Sequence, residues 1–305
     1  MSASSRRAQT DRDGAAEVAT GPSAASRSAA SRSAASRTTA AAGSGIPRLL
    51  YLPAALGFAL LILPLVGLFL RADWPSVPAA IVSEEAQSAL WLSLQTALAA
   101  TVLCLIVGIP LALVIARSGN RLAGLLRALT TLPLVMPPLV GGIALLYLLG
   151  RNGLVGSVLE LWFGIRIPFT TGAVVIAQSF VALPFLVISV EGALRTAGTR
   201  YEAVAATLGA GRWTVFRRVT LPLIMPGVIA GTVLCFARAL GEFGATALFA
   251  GNAAGTTRTM PLAIYTAFNG AGVSQDSAIA LSLLLVVVGI VILLLLRSWR
   301  TTPER

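Results

Sequence analysis

Six long apolar stretches place the strongest constraint on how this chain folds. A helix that crosses a bilayer core of roughly 30 Å needs about 20 apolar residues, since each residue adds about 1.5 Å. In lipid the backbone N–H and C=O groups find no water, so each stretch is predicted to be helical. The sequence therefore predicts an all-α polytopic membrane protein with about six transmembrane helices, at approximately 49–70, 88–116, 124–149, 171–194, 219–243 and 276–297.

The distribution of arginine between the apolar runs indicates which segments face the cytoplasm. Short loops rich in Arg stay on the cytoplasmic side of a membrane. Most Arg residues lie in the N-terminal tail, the 117–127 turn, the 195–218 segment and the C-terminal end. Both termini are therefore predicted to be cytoplasmic. The segments 71–87, 150–170 and 244–275 are predicted to be outward loops, holding only Arg71, Arg151, Arg166 and Arg258.

Residues 1–45 differ in composition from the rest of the chain. They repeat SAASR three times between 23 and 37 and contain almost no large apolar side chain. Such a polar low-complexity segment is expected to be disordered. A cleavable signal peptide is disfavoured, because about 45 residues precede the first apolar run. We expect a disordered tail at 1–45, a transmembrane domain at 46–300 and a cytoplasmic end at 301–305.

The residue types that the chain lacks exclude several kinds of chemistry. It contains no His and no Lys, so all 23 of its basic residues are Arg. Without Lys there is no phosphate-binding loop that ends in Lys, and without His there is no imidazole base or His-bound metal. Any nucleotide hydrolysis must take place on another chain. Cys104 and Cys235 both fall inside apolar runs, which favours buried small side chains over a disulfide or a metal site.

We therefore expect no catalytic residue, no metal and no cofactor on this chain. The net charge of +11 does not indicate a nucleic-acid partner, because the Arg residues mark membrane topology and form no basic stripe. Membrane lipid is the expected surrounding.

One polar stretch between two apolar runs suggests a contact with another molecule. It reads YEAVAATLGAGRWTVFRRVTLP, from 201 to 222. The pattern predicts a short helix, a turn at Gly209–Gly211 and a second helical piece, with Tyr201, Val204 and Leu208 on one face. Two interpretations fit: a helix held in the groove of a cytoplasmic partner, or an amphipathic helix that lies on lipid.

The same stretch resembles the "EAA" loop of permease subunits from binding-protein-dependent ABC importers. The matching positions are Glu202, Ala205, Gly209, Ala210, Val219, Leu221 and Pro222. Two departures are visible: Glu202 lies seven residues before Gly209, where the general spacing is six, and Val204 replaces an Ala. The resemblance implies that this loop docks on a separate ATP-binding subunit, present in two copies, which binds ATP and Mg. The residues implied in that coupling are Glu202, Ala205, Leu208, Gly209, Ala210 and Gly211.

A second resemblance concerns the transported substrate. FARALGEFGATALFAGN at 236–252 and TTRTMPLAIYTAFNG at 256–270 resemble the molybdate importer permeases, with the sulfate/thiosulfate permeases as near relatives. The likeness extends from about residue 85 to 295. It implies a type I ABC importer permease fold, a homodimer in the cell membrane, an extracytoplasmic molybdate-binding protein, and import of molybdate or tungstate.

Two pairs of residues are candidates for the translocation pathway. Arg238 and Glu242 stand four residues apart in one span, where ionisable residues are functional candidates. They either pair with each other, or Arg238 lends positive potential to the route of an anion. In the latter case Arg238→Gln should abolish uptake and leave assembly intact. Pro137 and Gly141 lie in PLVMPPLVGG, which reads as one helix interrupted by Pro and Gly.

Polar residues in the spans leave their role open. Each either lines a pathway or makes a helix-to-helix hydrogen bond, and the set is Ser93, Gln95, Thr96, Gln178 and Ser179.

Two other classes of function are weighed against an ABC permease. A self-sufficient secondary anion transporter needs ion-coupling carboxylates, and the spans hold only Glu191 and Glu242. An intramembrane enzyme needs a Ser/Lys, Asp-pair or metal-His set, which the sequence lacks. A sulfate/thiosulfate permease remains the alternative within the same class.

Overall fold

The computed structural model describes residues 47–270 and 275–297, which divide between two compact units, Met1–Leu63 and Pro64–Arg305. The predicted disordered tail at 1–45 and the C-terminal end at 301–305 lie outside the described residues. All regular elements within the described residues are helical. In chain order they are a 3-10 turn at Arg48–Leu50, then α1 (Tyr51–Arg71), α2 (Val77–Val82), α3 (Glu84–Arg117), α4 (Asn120–Val135), α5 (Pro138–Leu149), α6 (Gly156–Phe163), α7 (Thr171–Ala197), α8 (Arg200–Thr207), α9 (Arg212–Val215), a π-helix at Phe216–Thr220, α10 (Leu221–Leu240), α11 (Gly244–Phe249), α12 (Met260–Asn269) and α13 (Gln275–Arg297).

The membrane spans agree with the predicted number. Within the described residues, five stretches are long and apolar enough to cross a bilayer: α1, α3, α7, the α9–α10 unit Arg212–Leu240, and α13. The bent pair α4 and α5 makes a sixth if it counts as one span. The all-α membrane fold with about six spans is therefore confirmed. The cytoplasmic position of both termini stays a prediction.

The third apolar run is not the single helix that its hydropathy indicated. It breaks between Val135 and Pro138, and the two helices meet at 113°. Met136 and Pro137 have extended backbone, with ψ of 134° and 136°. The cause is local, because a proline disfavours helical conformation in the residue before it, and here two prolines follow one another.

The core lies where α7 packs between α3 and α10. Small side chains line this contact, including Ala97 and Ala100 of α3 and Ala182 of α7, each with no exposed area. Cys104 and Cys235 are free and buried in the same cluster, as predicted. Small residues let helix backbones approach closely, which replaces the hydrophobic driving force that lipid does not supply.

The spacing of Gly227 and Gly231 in α10 produces such a close approach to α7. A Cβ built on Gly231 would lie 2.9 Å from the Cβ of Ser189 and 3.0 Å from Leu186 Cδ1. The Ser189 hydroxyl also donates a hydrogen bond of 2.9 Å to the Gly227 carbonyl. This glycine pair therefore allows α10 to pack closely against α7.

The segments predicted as outward loops contain further helices: α2 in 71–87, α6 in 150–170, and α11 and α12 in 244–275. The described part of the last segment, 244–270, is not an irregular loop, because Phe249, Met260 and Leu262 are buried; its outward position stays a prediction. The Met260 N–H donates a hydrogen bond of 2.7 Å to the Ser93 hydroxyl of α3. This region is therefore part of the packed fold.

Candidate functional site

The segment 199–218, which we term the coupling hairpin, folds as the sequence predicted. Helix α8 ends at Thr207, and Gly209 then takes a φ of +82°, where a Cβ would be strained. The backbone N–H of Ala210 bonds to the Ala205 carbonyl at 3.1 Å. Gly211 then caps α9 with extended backbone. A helix, a glycine turn and a second helical piece thus follow in order.

One side of the coupling hairpin exposes large apolar side chains. Leu208 is 83% exposed, and Tyr201, Val204 and Trp213 are also exposed. Ala205 and Ala210 of the same segment are half-buried. Large exposed apolar groups next to a tight glycine turn are typical of a surface that another molecule covers.

Glu202 has a different position from the other residues implied in coupling. Its carboxylate points into the fold, where it accepts a bond of 2.5 Å from Arg117 of α3 and one of 2.7 Å from the Thr220 hydroxyl. Its side chain is only 21% exposed. Glu202 therefore ties the coupling hairpin to α3 and to the start of α10. A direct contact with a partner stays a prediction for the other coupling residues, Ala205, Leu208, Gly209, Ala210 and Gly211.

A second ion-pair cluster at the same end of the helices was missed by sequence reasoning. Glu191 of α7, whose side chain is 6% exposed, pairs with Arg127 of α4 at 2.6 Å and with Arg195 at 2.9 Å. From the sequence, these Arg residues, like Arg117, were interpreted only as markers of membrane topology. The spacing of Glu191 and Arg195 is the one signal that was available, because residues four apart share a helix face.

Arg238 and Glu242 form the ion pair that their spacing predicted. The distance from Arg238 Nη2 to Glu242 Oε2 is 2.6 Å, and the Glu242 side chain is 1% exposed. The other carboxylate oxygen accepts a bond of 2.8 Å from the Ala245 N–H, at the start of α11. Glu242 therefore holds Arg238 and the first turn of α11 in one arrangement.

Pro137 and Gly141 are each followed by a residue that contacts the same short helix, whereas a Cβ on Gly141 itself would lie 3.1 Å from the Phe180 ring of α7. Helix α5, which follows Pro137, crosses α11 closely: a Cβ on Gly142 would lie 2.9 Å from the Ala245 carbonyl oxygen. A Cβ on Gly244 would lie 2.7 Å from the Cβ of Pro138. Glu242 and the neighbours of the second pair, Pro138 and Gly142, thus meet at the crossing of α5 and α11, which we term the half-helix crossing.

The polar residues of the spans divide into four groups, the first of which is Ser93, whose hydroxyl accepts the bond from the Met260 N–H. The hydroxyls of Thr96 and Ser179 bond to carbonyls of their own helices, and Gln95 is exposed. Gln178 is fully buried, yet neither atom of its amide has a hydrogen-bond partner among the described residues. A buried amide without partners is costly, so Gln178 is the polar residue that needs an explanation.

Acidic and thiol groups do not gather into a metal site in the described part of the chain. No group of three or more His, Cys, Asp or Glu residues stands close enough there to hold a metal ion.

Comparisons with known proteins address the family of this chain. The model of the family "Binding-protein-dependent transport system inner membrane component" matches residues 108–301. The molybdenum transport system permease protein ModB of Mycobacterium tuberculosis is 57% identical over 249 residues, which cover 82% of this chain and 93% of the relative. The protein of the same name from Escherichia coli K12 is 40% identical over 227 residues, 74% of this chain and 98% of the relative.

Solved structures support the fold independently of sequence. A bacterial ABC transporter involved in the import of the acidic polysaccharide alginate aligns with a TM-score of 0.60 at 23% identity, covering 84% of this chain and 96% of that one. The MetNI methionine ABC transporter in an inward-facing conformation aligns with a TM-score of 0.55 at 18% identity, covering 73% of this chain and 100% of that one. The expected importer permease fold is therefore confirmed. Together with the family match over residues 108–301, this shows that the chain is a multi-pass membrane protein that belongs to the binding-protein-dependent transport system inner membrane components.

Proposed function

We propose that this chain is the membrane-spanning subunit of an ATP-driven importer for molybdate. The observation that carries the proposal is 57% identity to a molybdenum transport permease along 82% of this chain. The match also covers 93% of the relative's own length.

The coupling hairpin is the proposed point at which ATP-driven movement enters the chain. A separate ATP-binding subunit, in two copies with ATP and Mg, would receive Leu208 and the Gly209–Gly211 turn in a groove. The bonds from Glu202 to Arg117 and Thr220 join the hairpin to α3 and α10. A displacement of the coupling hairpin would then also move α3 and α10, because these bonds fix the hairpin to both helices.

The remaining partners follow from the same proposal. Two copies of this chain would enclose the pathway as a homodimer, and an extracytoplasmic molybdate-binding protein would deliver the anion. This chain itself binds no nucleotide and breaks no bond. Its contribution is a route that opens to one side of the membrane at a time.

The charges at the half-helix crossing suit weak and reversible contact with an oxyanion. The Arg238 guanidinium is already neutralised by Glu242 at 2.6 Å, so it does not present a full free charge to a passing anion. Hydroxyls, amides and backbone N–H groups satisfy a tetrahedral oxyanion without a charged cage. We propose Arg238 and Glu242 chiefly as positioning residues for α11, with Pro137 and Gly141 shaping α5.

Uptake into proteoliposomes tests the substrate. Vesicles are prepared with this chain, the ATP-binding subunit and the binding protein. They should transport molybdate only when ATP is present on the side of the membrane where the ATP-binding subunit lies. Tungstate should compete and sulfate should not. Equal inhibition by sulfate would reassign the chain to sulfate import, and uphill transport by this chain alone would refute an ATP-dependent permease.

A matched pair of surface variants tests the coupling hairpin. Leu208 and Leu154 are each 83% exposed, so neither change to Asp disturbs a core. Leu208→Asp should lose capture of the ATP-binding subunit in a pull-down, because a charge enters the apolar contact. Leu154→Asp, in an outward segment, should keep it. Equal capture by both variants would show that the exposed hairpin is not the contact.

A further inference from the structure

We infer that the outward segment 150–169 forms a binding site for an anionic phospholipid of the outer leaflet. The first observation is a cavity of about 550 Å³ between the end of α5 and the chain that enters α7. Its lining is mostly apolar and includes Leu146, Ile165 and Phe169. Small-molecule sites typically enclose about 300–1,000 Å³, so the cavity is large enough for part of a lipid.

The second observation is the charge at the cavity rim. Arg151 and Arg166 both reach Glu160, at 3.3 Å and 2.9 Å. The two Arg side chains are 74% and 67% exposed, whereas Glu160 is 20% exposed. One carboxylate therefore orients two guanidinium groups that remain mostly exposed. A guanidinium has five donors in a fork that matches a phosphate.

The position of these two arginines strengthens the assignment. Arg residues are disfavoured in the outward segments of a membrane protein, and the sequence holds only four there. Two of the four, Arg151 and Arg166, lie on this one cavity. The net charge of the rim, with Glu160, is one positive unit, which complements a lipid phosphate with a neutral headgroup.

The surface beside the cavity has the character of a membrane interface. Trp162 is 75% exposed, and Leu161 and Phe163 beside it in α6 are exposed as well. Aromatic side chains are enriched at the level of the lipid headgroups. The two Arg side chains at the rim would contact the lipid headgroup. The apolar lining of the cavity and the exposed aromatic side chains of α6 would contact the upper part of an acyl chain.

Backbone strain at Phe169 indicates that the cavity wall is held in place. Phe169 is the one residue other than Gly with positive φ among the described residues, at 62°. Its N–H donates to the Phe249 carbonyl at 3.3 Å. A bulky residue in this conformation is a genuine outlier, and such strain clusters at ligand sites. The strained backbone keeps the Phe169 ring at the cavity.

Native mass spectrometry of the purified protein with equal amounts of phosphatidylglycerol and phosphatidylcholine tests the site. The wild type should retain phosphatidylglycerol in preference. The double variant Arg151→Gln/Arg166→Gln should retain about tenfold less, since charge-assisted contacts are lost. Arg121→Gln/Arg200→Gln, which removes the same charge from the other side of the membrane, should retain as much as the wild type.

A second variant separates ligand binding from folding. Phe169→Gly suits the positive φ, so it should keep the protein folded while it removes the ring and lowers lipid retention. Inorganic phosphate should not displace the lipid, because it offers nothing to the apolar lining. The inference is overturned if both Arg double variants retain lipid equally, if phosphate displaces the lipid, or if folded Phe169→Gly retains as much lipid as the wild type.

Discussion

Replacing Gly142 by Ala tests whether the half-helix crossing is as tight as its geometry indicates. The new Cβ would lie 2.9 Å from the Ala245 carbonyl oxygen, 3.0 Å from the Ala245 Cα and 3.1 Å from the Leu248 Cβ. These atoms belong to the α11 backbone or are directly bonded to it, so they cannot rotate away. Overpacking costs about 1–3 kcal/mol, and Ala gains about 0.5–1 kcal/mol over Gly in a helix. The free energy of unfolding should therefore fall by about 1–2 kcal/mol.

Gly124→Ala is the matched control, because Gly124 also lies within a helix and a Cβ there meets nothing within 4 Å. Its free energy of unfolding should rise by a few tenths to about 1 kcal/mol. Both variants are compared with the wild type by titration with sodium dodecyl sulfate in mixed micelles, followed by Trp fluorescence. If Gly142→Ala is as stable as the wild type while Gly124→Ala behaves as expected, α5 and α11 do not pack as described.

Two further substitutions probe buried polar groups. Arg238→Gln should destabilise by about 3–5 kcal/mol because it leaves the buried Glu242 carboxylate unpaired, and Arg238→Gln/Glu242→Gln should recover most of this in the same titration. If the folded double variant still takes up molybdate, the Arg238–Glu242 ion pair is not required for transport. Gln178→Leu should raise the free energy of unfolding by about 1–3 kcal/mol, because it removes a buried amide without partners. A drop in its stability would mean that the amide is satisfied by water, and a loss of uptake with raised stability would place Gln178 in the pathway.

Features that depend on neighbouring residues were predictable from the sequence. The turn at Gly209 follows from glycines that allow positive φ, and the Arg238–Glu242 pair follows from residues four apart on one helix face. The break before Pro138 was visible in its prolines, but the 113° bend was not. That angle depends on α11 packing against Gly142, about a hundred residues along the chain.

Contacts between residues far apart in the chain could not be predicted from the sequence. Arg117 and Arg127 entered the sequence analysis only as markers of topology, and their partners Glu202 and Glu191 lie 85 and 64 residues away. The helices of 244–270 were missed for the same reason. Their Ala-, Gly- and Thr-rich sequence has the composition of a loop, and burial against α3 and α5 makes it a packed element.

The π-helix at Phe216–Thr220 allows the chain to lose one residue at this point. The Leu221 N–H bonds to the Phe216 carbonyl, five residues back, so one turn carries an additional residue. Removing a single residue there would convert the turn to ordinary α geometry and leave the helical faces before and after it pointing as they do now. A one-residue loss in any other turn of α10 would rotate everything beyond it by roughly 100°. The junction between the coupling hairpin and α10 is thus the place where one residue can be lost without rotating the hairpin relative to α10.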